Sequence, residues 1–118
     1  MITVTSDEED HMFTLTMRFT LPEDTDWSKI PDLMEDRARN LYVNMPGLIS
    51  KAFIYDPETR EYGGNYLWER REQIDAFLKS DIVAAARSKF GEPTYRVHRV
   101  AAYLDRGRVY VPAAASTA

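Results

Sequence analysis

Hydrophobic and polar positions alternate without interruption from Met12 to Leu21. Phe13, Leu15, Met17, Phe19 and Leu21 fall on one side, and Thr14, Thr16, Arg18 and Thr20 on the other. A period of two predicts a strand with one face on a core and a wetter, threonine-rich face opposite. Pro22 to Asp26 breaks the pattern. From Ile30 the spacing becomes helical: Ile30, Leu33, Met34, Ala38, Leu41 and Met45 form one stripe. Asp32, Glu35, Asp36, Arg37, Arg39 and Asn40 fill the outer face. Asp26 or Ser28 is suited to cap this helix, and Pro31 fits only its first turn. Pro46-Gly47 ends it.

Two strands follow, Leu48–Tyr55 and Tyr62–Glu69, joined by the polar turn Asp56–Glu61. Pro57 presets φ for the second position of a type I turn, and Asp56 can bond the turn backbone. With Tyr55 opposite Tyr62, the pairs Phe53–Gly64, Lys51–Tyr66 and Ile49–Trp68 share one face. The other face then carries Leu48, Ser50, Ala52 and Ile54 with Gly63, Asn65 and Leu67. The helical period returns with Ile74, Phe77, Leu78, Ile82, Ala85 and Phe90, and Ser80-Asp81 predicts either a break or two successive helices. Gly91 and Pro93 stop the helix. Thr94 to Tyr103 reads as a last strand, with Tyr95, Val97, Arg99, Ala101 and Tyr103 on one side and Arg96, His98, Val100 and Ala102 on the other. Asp105-Arg106-Gly107 is a turn before a short extended piece, Arg108–Val111.

Residues 1–11 are expected to be a flexible leader, with Ile2–Thr5 as an alternative edge strand, and residues 106–118 a tail. Between them, residues 12–105 make one domain of order strand, helix, strand, strand, helix, strand. That is the split βαβ arrangement of a ferredoxin-like α+β fold: a four-stranded antiparallel sheet with its helices on one face. The opposite face must meet water or a second sheet. Apolar and aromatic residues on both faces of the central hairpin favour a second sheet, which a symmetric homodimer supplies.

Composition narrows the function classes. The 118-residue chain is 44% hydrophobic and 12% aromatic, values of a globular protein. Its formal net charge of −4 argues against nucleic acid or an anionic membrane as partner. There is no cysteine, so disulfides, thiolate catalysis and cysteine-held metals are excluded. No apolar run is long enough to span a bilayer, and the acidic start is unlike a secretory signal. The expectation is a soluble, cytoplasmic protein. No HxH or HExxH pairing, P-loop, dinucleotide fingerprint or Ser-His-Asp order occurs, and no metal or cofactor is expected.

Three stretches carry a family resemblance. MPGLISKAFIYD places Pro-Gly before a strand with an internal lysine, Lys51. EYGGNYLWE is an aromatic return strand after Gly63-Gly64. ERREQIDAFLKSDIVAAARSKFG is a helical segment with a Ser-Asp break. Together they resemble the YdhR-like monooxygenases of the dimeric α+β barrel superfamily, over roughly Met12 to Asp105. The resemblance implies a dimer with a pocket between sheet and helices in each subunit. Related members oxidise polycyclic aromatics with molecular oxygen and neither metal nor flavin; others degrade haem, remove chlorite or isomerise lactones. Fold alone does not choose among these.

The expected function is a cofactor-independent monooxygenase acting on a small aromatic or quinol-type molecule. Lys51, mid-strand among apolar neighbours, is the leading candidate: an ammonium with a lowered pKa that holds developing negative charge, or else a snorkelling or dimer-pairing lysine. Tyr66 supplies a phenolic donor beside it. Trp68 offers a flat wall for an aromatic ligand, or simple core packing. Phe53 and Met17 are further substrate contacts. Asn65, on the face opposite Tyr66, either orients a substrate carbonyl or bonds across the barrel interface. His98 is a candidate acid–base group. Gly63-Gly64 reads as a bulge, or as room for a ligand or helix. Arg18, Arg96 and Arg99 suit an anionic group or interface ion pairs. The alternatives are a haem-degrading enzyme, a non-catalytic small-molecule-binding dimer, and an isomerase or dehydratase.

Overall fold

The computed structural model describes residues 11–112. Residues 1–10 of the expected leader, its alternative edge strand Ile2–Thr5, and residues 113–118 of the tail lie outside the described residues.

β1 (Phe13–Thr20), β2 (Leu48–Asp56), β3 (Glu61–Trp68) and β4 (Thr94–Arg99) form one antiparallel sheet in the order β2-β3-β1-β4. α1 (Ile30–Arg37), α2 (Arg71–Leu78) and α3 (Asp81–Phe90) pack on one face of it. This is the ferredoxin-like fold expected from the element order. The alternation of β1 is met residue by residue. Phe13, Leu15, Met17, Phe19 and Leu21 are buried in a single cluster with Ile30 and Met34 of α1, Ile74 and Phe77 of α2, and Val83 of α3. Thr14, Thr16 and Arg18 line the uncovered face, paired with Leu67, Asn65 and Gly63 on one side and with His98, Arg96 and Thr94 on the other.

Four local features refine the expected pattern. First, β2 bulges between Leu48 and Ser50, so Leu48, not Ile49, stands opposite Trp68. The extra residue turns Leu48 into the core and leaves Ile49 on the surface. The bulge expected at Gly63-Gly64 is absent, since pairing runs unbroken through both. Second, α1 is followed by a π-turn, Ala38–Tyr42. The wider turn rotates the chain so that Tyr42 faces the core, and Leu41, expected inside, is exposed.

Third, Ser80 breaks the second helical run. Its hydroxyl accepts the Val83 N–H at 3.4 Å and donates to the Phe77 carbonyl at 2.6 Å. The restart rephases α3, burying Val83 and half-burying Ala86, and Ala85 points outward. Fourth, β4 ends at Arg99, the partner of Phe13, where β1 ends as a ladder. One further bond, Val100 N–H to the Met12 carbonyl at 2.9 Å, ties it down. Instead of continuing to Tyr103, the chain bends into a second hairpin, β5 (Tyr103–Asp105) and β6 (Arg108–Tyr110). Arg106 and Gly107 both have positive φ, as a two-residue hairpin turn of type I′ requires.

The junction between α1 and β2 depends on Gly47. Its φ is +81°, and its carbonyl accepts the Glu69 N–H at 2.9 Å. A Cβ there runs into the side-chain amide of Gln73, whose Oε1 caps α2 by accepting the Arg70 N–H at 3.0 Å. Gly47→Ala therefore combines a left-handed backbone with loss of a cap. A destabilisation of about 2 kcal/mol or more is expected in urea unfolding.

Candidate active site

β2 and β3 place Lys51 opposite Tyr66, with Phe53 opposite Gly64. The missing side chain at Gly64 lets the lysine stem lie across β3: a Cβ there falls 2.6 Å from Lys51 Cε. The ammonium nitrogen then sits over three rings, 3.6 Å from the centroid of Tyr42, 3.8 Å from Phe53 and 4.3 Å from Tyr66. Tyr42 is held over it by edge contacts with Phe53 at 5.3 Å and Phe77 at 6.1 Å. Beneath lies a partly open cavity of about 40 Å³, walled by Met17, Phe19, Arg37, Tyr62, Phe77 and Val83 besides these residues. So small a space takes a few waters and no ring.

Its electrostatics follow from burial. Desolvation, reinforced by the nearby Arg37 guanidinium, pushes the Lys51 pKa down to about 6. The ring faces pull the other way, since each favours the ammonium. Burial also holds the Tyr66 hydroxyl well above the usual phenol range, with the neighbouring Tyr42 and a hydrogen bond to it acting in the same direction. Burial likewise raises Tyr42 and Tyr62. The site therefore presents an amine that changes charge near neutrality beside three neutral phenols. No carboxylate lines the cavity.

Of the residues singled out from sequence, Lys51, Tyr66, Phe53 and Met17 meet here. Trp68 lies behind Tyr66, stacked on it at 6.1 Å and 14°, and is outside the cavity wall. Asn65 and His98 stand on the uncovered face, opposite Thr16 and Thr14, across the sheet from Lys51. Strand parity separates them from the cavity, which removes His98 as an acid–base partner of Lys51. The same parity puts Trp68 and His98 on opposite faces of the sheet. Arg18 and Arg96 also lie on the uncovered face, beside Thr16 and Thr94.

Three polar wall residues, Arg37, Tyr42 and Tyr62, were not picked out as site residues from sequence. Tyr62 was legible, since it shares the face of Lys51 and Tyr66. Arg37 was assigned to the outer face of its helix and Tyr42 went unassigned; the π-turn that follows Arg37 carries Tyr42 inward. Among the described residues no group of three metal-ligating side chains occurs, and no helix is long and apolar enough to cross a membrane.

Residues 16–105 match the family model described as "Putative mono-oxygenase ydhR". The chain belongs to this ydhR mono-oxygenase family. The matched span contains β2, β3 and β4, β1 from Thr16 onward, and every residue lining the Lys51 cavity. No protein of curated function matches it in sequence. Among solved structures, the ydhR-family fold seen here is similar to a protein from Caulobacter crescentus described as a "putative antibiotic biosynthesis monooxygenase", at 14% identity and TM-score 0.58, covering 79% of this chain and 92% of that one. It is also similar to SnoaB, a cofactor-independent oxygenase from Streptomyces nogalater, at 13% identity and TM-score 0.53, covering 74% and 90%. A protein of unknown function from Nitrosomonas europaea is 17% identical with TM-score 0.58, covering 84% and 99%. At these identities the likeness establishes the fold.

Proposed function

We propose that the protein is a cofactor-independent monooxygenase for a small aromatic or quinol-type substrate, with Lys51 as its proton acceptor. The observation that carries this is a half-buried lysine whose ammonium sits over three rings, without a carboxylate partner among the described residues, beside a phenol. An amine with a pKa near neutrality is matched to removing a proton from an acidic carbon or phenol. For a substrate methylene, Lys51 takes one proton and its ammonium pairs with the resulting carbanion. The carbanion adds dioxygen to give a peroxide anion, and the Lys51 ammonium returns the proton. The hydroperoxide loses water to leave a carbonyl, so one substrate and one dioxygen give one ketone and one water. The Tyr66 hydroxyl supports the anionic stages by hydrogen bonding.

The reading includes a homodimer. The uncovered sheet face, with Ile54 and Ala52 beside the β1 threonines, is the surface a second copy covers; sedimentation of the full chain checks it.

The test is oxygen uptake by purified protein without added cofactor, across anthrones and hydroquinones. Protein-dependent uptake is expected, lost in Lys51→Met and reduced in Tyr66→Phe. In the wild type, kcat/KM should rise with pH through about 6 and then level, because the free amine is the active form. Absence of uptake across the panel overturns the proposal. The second reading, a non-catalytic binding dimer, then takes its place; the observation in its favour is that the protein's own rings already fill the cavity around Lys51.

A further inference from the structure

The geometry points to an anionic ligand for the Lys51 cavity: a flat, conjugated carboxylate whose acid group Arg37 binds and whose ring takes the place of Tyr42 over the lysine. This rests on the reading of that cavity as the substrate site. The starting observation is an unmet valence. Arg37 Nε is buried and has no hydrogen-bond partner. None of the ion pairs among the described residues includes Arg37 or Lys51. A buried N–H without an acceptor is costly, and in native folds such groups are nearly always paired, with protein, water or a ligand. Among the described residues no protein group supplies that acceptor. The cavity wall holds two basic side chains, three phenols and otherwise only apolar groups or backbone.

The shape of the anion follows from the groups that would meet it. A guanidinium presents parallel N–H donors that match the two oxygens of a carboxylate. The remaining walls are aromatic faces, from Phe53, Tyr66 and Phe77, which suit a conjugated ring and give a spherical inorganic ion nothing to contact. Room for the ring comes from Tyr42. This residue ends the π-turn that starts directly after Arg37, so one segment carries both the acid-binding group and the ring that covers Lys51.

The proposal has a proton signature. An anion beside Lys51 raises its pKa from about 6, so the site draws up to one proton from solution on binding at neutral pH, and the free amine that serves as base in a bound acid is then reached at a correspondingly higher pH. The groups facing Lys51 are Arg37 and Tyr42 from the α1 segment and Tyr62 and Tyr66 from β3; β1, α2 and α3 offer only apolar side chains. None of the phenols titrates near neutrality, because burial raises all three.

The experiment is calorimetric titration of the full chain with a naphthoate and with the matching neutral naphthylmethanol, in chloride-free buffers of different ionisation enthalpy. The carboxylate is expected to bind at least tenfold more tightly. Arg37→Gln should abolish that preference. Arg96→Gln, on the uncovered face, should retain it. Naphthoate binding should take up a proton in the wild type and none in Lys51→Met. If Arg37→Gln fails to fold, Arg37→Lys serves instead, with the preference reduced several-fold through loss of the paired donors. Equal affinities for the two probes, binding of neither, or a preference that survives at Arg37 overturn the inference. Oxygen uptake separates it from the enzymatic reading: turnover of neutral anthrones without acid preference sinks only the anion proposal, and acid binding without uptake on any substrate sinks only the monooxygenase.

Discussion

Lys51→Met should give a protein that is more stable than the wild type at neutral pH and has no turnover. Methionine replaces the lysine stem with an apolar chain of similar reach, in a site formed by Tyr42, Phe53 and Tyr66. Folding the wild type places a group that is charged in the unfolded chain at pH 7 into a cavity where its pKa is about 6. The sign follows from proton counting. Between about 6 and 10.5 the unfolded chain binds the extra proton, so wild-type stability rises with pH across that window, by at most about 1.4 kcal/mol per pH unit, and flattens above it. The three ring faces offset part of the cost by favouring the ammonium. A net gain of about 1–4 kcal/mol for Lys51→Met is expected at pH 7, the range seen when buried charged groups give way to packed apolar ones. Urea unfolding at pH 6.5 and pH 9.5 checks it, because the gap between variant and wild type must narrow at the higher pH. Parallel curves would mean that Lys51 is not desolvated. Stability lost at a position needed for chemistry is the expected trade at a functional site.

The same lysine shows what the sequence made legible. Alternation in β1 placed the core face without ambiguity, because a one-residue error there would put five large apolar side chains in water. The hairpin register brought Lys51 to Tyr66, since the Asp56 turn fixes pairing from its end: Asp56 Oδ1 accepts the Glu58 N–H at 2.9 Å, and Arg60 closes the loop at φ +62°. Ser80 announced its break by being a cap residue between two apolar phases. The illegible parts are single-residue insertions. A bulge at Ile49 and a π-turn after Arg37 each shift the phase of everything beyond them by one position. No residue type there demands either, and tertiary packing decides both. Tyr42 entered the cavity through such a shift. His98 was misplaced for a different reason: its face depends on the register of β4 on β1, which no turn connects.

Trp68→Ala should cost about 3–5 kcal/mol and lower the melting temperature by roughly 10–20 °C, making it among the most damaging single substitutions in the chain. The indole is 1% exposed and sits in register between Phe13 of β1 and Leu48 of β2. One of its faces stacks on Tyr66, and it meets the Phe77 ring at 5.4 Å. Removing it opens a void that sheet strands, fixed by pairing on both sides, cannot close. Trp68→Phe tells a packing role from a ligand-wall role. The indole N–H is buried without a hydrogen-bond partner, so the tryptophan already carries a desolvation cost of about 1–3 kcal/mol that phenylalanine does not. Recovery of that cost offsets much of the lost volume, and the phenylalanine variant should lie within about 2 kcal/mol of the wild type. Its naphthoate affinity should be unchanged, because Tyr66 stands between the indole and the cavity. The outcome that would sink this assignment is a Trp68→Ala protein that melts with the wild type and no longer binds ligand. A melting point that falls with the alanine and largely returns with the phenylalanine fixes Trp68 as the support on which Tyr66 is held against Lys51.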